Sequence, residues 1–142
     1  MLAAQRLEIE AACTWLAYAF CQFSDRNDYD SYQRLFTVEA VLSRPDAEYR
    51  TAAAIAAALQ SRPASSVVRH VCANPMITAI DGTHAKGTGT LLVYRHNSET
   101  KVTDPPVIGD YQDAYVLTDL GWQIASRKVW LSFGPHHDSR SE

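Results

Sequence analysis

The chain has 142 residues, of which 46% are hydrophobic and 20% are charged, and its formal net charge is −3 at pH 7. The length is that of one domain, and the composition is that of a globular chain that buries a core. The acidic balance argues against nucleic acid as a partner, and no apolar stretch reaches the roughly 20 residues that a membrane span needs. We therefore expect one globular domain with neither a nucleic-acid nor a membrane partner.

The N-terminal segment and the cysteines indicate the compartment. Glu8 and Glu10 interrupt the first apolar run, which is unlike a secretory signal peptide. Cys13, Cys21 and Cys72 are odd in number and form no CxxC pair. This pattern favours reduced thiols over a disulfide framework, so we expect a cytoplasmic protein.

Three helices are predicted in the N-terminal part. The first runs from about residue 5 to 24, because apolar side chains recur at steps of four and three. These side chains are Ile9, Cys13, Leu16, Phe20 and Phe23. Asp28 or Asp30 can cap a second, short helix, and Thr51 can cap an alanine-rich third one.

Strands are predicted before and after the third helix. Two short ones cover residues 39–44 and 47–50, and four long β-rich runs follow the helix. The long runs cover residues 66–80, 83–96, 107–118 and 121–133. Helices on one side of a long, twisted antiparallel sheet make an α+β cone whose open end can hold a small molecule. We expect one domain over residues 1–135 and a frayed tail over residues 136–142.

The length of the first hairpin turn predicts which side chains surround His70. If Asp81-Gly82 is a two-residue loop, His70 lies opposite Val93. Arg95 is then a diagonal neighbour on the same face of the sheet.

The second hairpin turn places a charged pair in the same way. If residues 119–121 form a three-residue loop, Asp113 lies directly opposite Arg127. Tyr111 and Tyr115 then share the face of this pair. The pair is either an exposed cross-strand salt bridge worth roughly 0–1 kcal/mol, or a charge clamp for a polar ligand in a cavity.

His70 is the candidate for chemistry, because it interrupts the apolar strand VVRHVC and needs a partner there. A histidine oriented by a carboxylate is the usual general base near neutral pH. Asp25, at the end of the first helix, is the candidate carboxylate. The alternative is a core histidine bonded to a backbone carbonyl. His136 and His137 lack accompanying ligands at metal-site spacing, so we expect no metal and no cofactor.

Three segments carry a family resemblance: FCQFSDRNDYDSYQRLFTVEAVL, VVRHVCANPMI and IGDYQDAYVLTDLGWQIASRKVW. Their markers are a D-x-x-D at the end of the first helix, an R-H that enters the third strand, and a terminal GW-x-I. In this order they resemble the SnoaL-like branch of the NTF2-like superfamily. The resemblance implies the NTF2-like cone, with three N-terminal helices packed on a curved antiparallel sheet.

Within that branch, the chain is similar in pattern to scytalone dehydratase and bile-acid dehydratase. The resemblance implies that His70 and Asp25 form the catalytic pair of such enzymes. The chain also departs from the pattern of these enzymes. Ser24 and Phe20 stand at positions where those enzymes carry tyrosines, and Arg95 stands near the position of their second catalytic histidine. The missing electrophile could be Arg95, Tyr111 or Arg127.

These features predict a cofactor-independent dehydratase or isomerase acting on a small hydrophobic carbonyl or hydroxy compound. Side chains expected to line the substrate site are Trp15, Leu16, Phe20, Phe36, Arg95, Tyr111, Asp113, Tyr115 and Arg127. Two alternatives stay open at this point, a non-catalytic small-molecule binding protein and an accessory subunit of an oxygenase.

A homodimer is also expected, because no helix covers the outer face of the sheet in a cone. Aromatic and aliphatic side chains on that face would form an exposed apolar patch larger than monomers usually carry. The candidates are Tyr94, Val116, Trp122, Ile124 and Trp130.

Overall fold

The computed structural model describes residues 1–134. The predicted tail of residues 136–142, with His136 and His137, lies outside the described residues. Within residues 1–134, no helix is long and apolar enough to cross a membrane.

The three predicted helices are present. They are α1 (Ala3–Asp25), α2 (Tyr29–Arg34) and α3 (Ala52–Gln60). Asp28 caps α2, since its carboxylate accepts a hydrogen bond of 3.2 Å from the Ser31 N–H. Thr51 caps α3 by accepting from the Ala54 N–H at 3.2 Å.

Six strands form one sheet in the order β2-β1-β6-β5-β4-β3. They are β1 (Phe36–Ser43), β2 (Glu48–Arg50), β3 (Ser66–Ala79), β4 (His84–Asn97), β5 (Val107–Thr118) and β6 (Gly121–Phe133). The sheet is antiparallel except for β1 and β6, which run parallel. β1 starts three residues earlier than predicted, because the Ile124 N–H donates to the Leu35 carbonyl at 2.7 Å and draws this segment onto β6.

The β3–β4 hairpin keeps the predicted pairing at His70 although its turn differs. Near the turn Ala79 pairs with Ala85 instead of the predicted His84, so this end of the hairpin holds one residue more than an Asp81-Gly82 loop implies. A β-bulge around Asn74, whose φ is 53°, shifts the register by one residue. The two deviations cancel, so His70 lies opposite Val93 as predicted.

The β5–β6 hairpin also departs from the predicted register at its turn and recovers it at a bulge, but here the turn is shorter than predicted. Its turn is one residue shorter than predicted, because Thr118 pairs with Gly121, whose φ of 99° suits glycine. A bulge at Ala125 then adds the residue back. Asp113 therefore faces Arg127, and this prediction is confirmed.

The bulge at Ala125 removes two residues from the predicted apolar patch on the outer face of the sheet. Between the turn and Ala125 the side chains alternate in the opposite sense, so Ile124 is fully buried and Trp122 packs against the core. Placing these two residues on the outer face was wrong. Tyr94 and Trp130, which are 40% and 42% exposed, do lie there.

The core lies between α1 and the concave face of the sheet, with α1 running across β3. The predicted apolar stripe of α1 faces this core, since Ile9, Cys13, Leu16 and Phe20 are all buried. Because α1 ends at Asp25, its last residue reaches the sheet beside the middle of β3.

Candidate functional site

His70 and Asp25 form a close hydrogen-bonded pair. The His70 ring Nδ1 lies 2.6 Å from Asp25 Oδ1, and the His70 backbone N–H donates to Asp25 Oδ2 at 2.8 Å. Both oxygens of one carboxylate therefore hold one residue, which fixes the position of the strand and of the imidazole. The alternative of a histidine bonded to a backbone carbonyl is wrong.

The position of β3 in the sheet explains why the backbone N–H of His70 binds Asp25. β3 is an edge strand, so every other backbone N–H points away from β4 and has no sheet partner. The His70 N–H is one of these, and the last side chain of α1 accepts from it. The edge of the sheet is thus capped by the same carboxylate that orients the ring.

The pair fixes the tautomer of the imidazole. A carboxylate only accepts, so in the neutral ring Nδ1 carries the proton and Nε2 carries the lone pair. Nε2 has no hydrogen-bond partner among residues 1–134. The side chains of His70 and Asp25 are 14% and 10% exposed, so the base is shielded but not sealed.

Arg127 and Asp113 form a fully buried ion pair, and the exposed-salt-bridge interpretation is wrong. Arg127 Nε donates to Asp113 Oδ1 and Nη2 donates to Oδ2, both at 2.7 Å, and each side chain is 0% exposed. The Tyr115 hydroxyl donates to Asp113 Oδ2 at 2.6 Å. Burial and the charge of Asp113 raise the pKa of Tyr115, so this hydroxyl stays a donor.

The guanidinium of Arg127 lies between two aromatic rings. Its Cζ is 4.1 Å from the ring centroid of Phe20 and 4.1 Å from that of Tyr111. Burial disfavours the charge, but the Asp113 carboxylate outweighs this and raises the pKa of Arg127. Arg127 Nη1 is buried and has no hydrogen-bond partner among residues 1–134.

Phe20 connects the two charged pairs. Its ring lies edge-on to the His70 imidazole, with centroids 6.3 Å apart, and stacks on Arg127. Phe36 packs against the same ring at 6.1 Å. Phe20 and Phe36 are therefore buried core side chains that border the site.

Tyr111 and two thiols form a further polar cluster that the sequence did not reveal. The Tyr111 hydroxyl lies 3.4 Å from Cys72 Sγ. The neighbouring Cys21 thiol lowers the pKa of Cys72 despite burial, and the Tyr111 hydroxyl and the charge of Arg127 act in the same direction. Gly89 leaves room for the Tyr111 ring, since a Cβ on Gly89 would come within 2.4 Å of its hydroxyl.

Trp15 lies outside the core, against the sequence-based expectation, whereas Leu16 is buried in it. Trp15 is 58% exposed and stacks edge-on against Phe23 at 6.2 Å. A pocket of about 270 Å³ between α1, α2 and the β5–β6 turn includes both residues and does not include His70. The helix period placed Trp15 beside the buried stripe but could not show that this flank faces away from the sheet.

Two further arginines, Arg62 and Arg95, lie near the hydrogen-bonded pair of His70 and Asp25, which we call the dyad. Arg95 faces inward on β4 and pairs with Val68, one inward row away from His70. Arg62 follows α3 and donates to the Ser24 carbonyl at the end of α1. No sequence signal pointed to Arg62, because this contact spans 38 residues. Among the described residues, no group of three or more potential metal ligands is present.

The sequence profile of the SnoaL-like domain family matches residues 5–128. LinA type 2, a hexachlorocyclohexane dehydrochlorinase, superposes with a TM-score of 0.84 at 13% identity, covering 96% of this chain and 95% of that one. A proposed scytalone dehydratase from Novosphingobium aromaticivorans superposes with a TM-score of 0.81 at 18% identity, covering 92% of this chain and 89% of that one.

An NTF2-like protein from the same bacterium superposes with a TM-score of 0.76 at 18% identity, covering 92% of this chain and 86% of that one. These similarities show the NTF2-like fold predicted above. No match was found among curated proteins.

Proposed function

This chain belongs to the SnoaL-like domain family, and we propose that it is a cofactor-independent dehydratase or isomerase with His70 as general base. The observation that carries the proposal is the double contact of Asp25, which holds both the ring and the backbone of His70. A satisfied core histidine pairs both of its ring nitrogens, whereas here Asp25 binds Nδ1 and Nε2 keeps its lone pair for a substrate proton.

The proposed reaction begins with proton removal. Nε2 of His70 takes a proton from the carbon next to a substrate carbonyl, and the C–H electron pair moves into the enolate. Asp25 stabilises the imidazolium that forms. A β-hydroxyl group then leaves as water when Nε2 returns the proton to it and the C–O bond breaks. If the proton returns to another carbon instead, the result is an isomerisation.

The enolate oxygen needs a donor, and Arg127 supplies it in this proposal. Its Nη1 is a buried cationic donor without a partner among the described residues, and such donors stabilise developing negative charge strongly in a water-poor site. Asp113 and the two flanking rings hold the guanidinium in place. This donor would replace the tyrosines whose positions are Ser24 and Phe20 here.

The names of two similar structures support this class of reaction. A dehydrochlorinase and a dehydratase both carry out eliminations, and both can start with removal of a proton beside a leaving group. At 13% and 18% identity these proteins share the fold. For that reason the proposal rests on the geometry of His70 and Asp25.

Solvent deuterium exchange tests the proposal without knowledge of the natural substrate. Purified protein is incubated in D₂O with a set of cyclic and aromatic β-hydroxy ketones, and loss of the α-proton is followed by NMR. We expect at least one compound to exchange or dehydrate roughly 10²-fold faster with the wild type than with His70→Asn. Binding of these ketones without any exchange would instead support the binding-protein alternative.

We also propose that two copies associate through the outer face of the sheet. Val71, Leu92 and Ile108 are cross-strand neighbours there and form a continuous apolar row over β3, β4 and β5. Val71 is 48% exposed, and Tyr94 extends the row. A self-complementary apolar patch of this kind is most simply buried by a second copy around a two-fold axis.

Sedimentation equilibrium at micromolar concentration tests the dimer. We expect twice the chain mass of 15.8 kDa, and we expect Leu92→Glu to yield monomers because it places a charge in the apolar row. Thr88→Glu is the matched control, since it lies on the same strand and face but outside the row. A wild type that sediments only as a monomer contradicts the proposal.

A further inference from the structure

Arg62 and Arg95 are two cations near the dyad that the reaction above does not use. Both side chains are partly buried. Among residues 1–134, no carboxylate oxygen lies within 4.0 Å of either guanidinium, and the six close ion pairs there involve other groups. Cations shielded from water without a carboxylate partner are costly to keep in a protein.

Arg62 is fixed directly beside the dyad. Its Nη2 donates to the carbonyl of Ser24, the neighbour of Asp25, and to Asn27 Oδ1 at 2.8 Å. Its Nε is buried and has no acceptor among the described residues. Arg62 therefore holds the end of α1 with one nitrogen and keeps another donor free.

Arg95 reaches the same region from the sheet. His70 pairs with Val93, and Val68 pairs with Arg95, so Arg95 lies in the next inward row of the sheet. Adjacent inward rows are about 7 Å apart along a strand. Burial lowers the pKa of Arg95, and the positive charges of Arg44 and Arg62 act in the same direction.

The acidic groups near Arg95 leave it available. Asp46 lies 3.5 Å from Arg44 and pairs with it, and Asp104 favours the charge of Arg95 only from beyond 4.0 Å. Asp25 is occupied by His70. An anion placed between the two arginines would therefore meet unpaired donors rather than displace an existing carboxylate.

We propose that Arg62 and Arg95 bind a carboxylate of the substrate, so that the substrate is an organic acid whose reactive carbonyl is a separate group that lies beside His70. The inference rests on the proposed function for the reactive end of the molecule. It adds that the ligand is amphipathic, with an apolar body against Phe20 and a charged end between the arginines. Arginine suits this role because its planar donors match a carboxylate.

Calorimetric titration with cinnamate and cinnamamide tests the charged end alone. The two probes have nearly the same shape, but only cinnamate carries a negative charge at pH 7.5. We expect the wild type to bind cinnamate about ten-fold more tightly than cinnamamide. Added salt should weaken binding of cinnamate and leave that of cinnamamide unchanged.

Variants assign the preference to the named residues. Arg95→Gln should remove the preference for cinnamate, and Arg62→Lys should reduce it while still holding the end of α1. Arg50→Gln is the control, because its side chain is 70% exposed and lies on β2. Equal binding of the two probes, no binding of cinnamate, or an unchanged preference in Arg95→Gln would each overturn the proposal.

One further variant separates this proposal from the proposed reaction. His70→Asn should keep the preference for cinnamate, because the carboxylate does not contact the base. If the preference holds while no ketone undergoes exchange, the protein is an acid-binding protein and only the enzymatic proposal fails. If exchange occurs without a charge preference, only the carboxylate proposal fails.

Discussion

Replacing His70 with asparagine is expected to lower turnover by roughly 10²–10⁴-fold without unfolding the protein. Asparagine cannot accept and return a proton, so the chemical step loses its base. The fold should survive, because the backbone N–H of residue 70 still donates to Asp25. Steady-state kinetics on a substrate found by deuterium exchange, with a melting temperature for each variant, measure both effects.

The Asp25→Asn variant distinguishes orientation from structure. An amide oxygen can still accept from the backbone of β3, but it no longer stabilises an imidazolium, so activity should fall while stability changes little. Because the two residues act as a unit, the double variant should be little worse than either single one. Asp28→Asn is the control, since asparagine also caps helices well. Turnover that survives both dyad substitutions would make His70 and Asp25 structural.

Replacing Asp113 with leucine is expected to destabilise the protein by about 3–5 kcal/mol, the largest stability effect we predict. The substitution leaves the Arg127 charge fully buried without its carboxylate, and the Tyr115 hydroxyl loses its acceptor. Urea unfolding measures the change in free energy. By contrast, Glu48→Leu breaks the exposed pair with Arg50 and should cost less than about 1 kcal/mol.

A compensating variant separates charge burial from lost packing. Asp113→Leu combined with Arg127→Met removes both charges, and hydrophobic replacement of a buried pair is often neutral or stabilising. The double variant should therefore recover at least half of the loss. If it is instead as unstable as the single variant, the cost comes from packing around Tyr115. Its turnover should remain low, since Arg127 is also the proposed enolate donor.

Local sequence signals identified the elements correctly where one face is buried. The steps of four and three in α1, the cap at Asp28 and the alternation along the long strands each depend on neighbouring residues only. The same signals failed at turns. Both hairpin turns differed by one residue, and a bulge in each hairpin restored the pairing of the functional side chains. Burial of the apolar side chains on the inward face, among them Val68, Leu91 and Tyr111, fixes this register more strongly than turn chemistry does.

The sequence by itself determined the α+β architecture, the family and the identity of the His70–Asp25 pair, because these follow from periodicity and from motifs in a fixed order. Only the tertiary structure decided that Asp113 and Arg127 are fully buried and that Trp15 faces away from the site. It also brought Arg62 to the end of α1. Burial and long-range contacts depend on how α1 and α3 lie against the sheet, and no local pattern of residues encodes that placement.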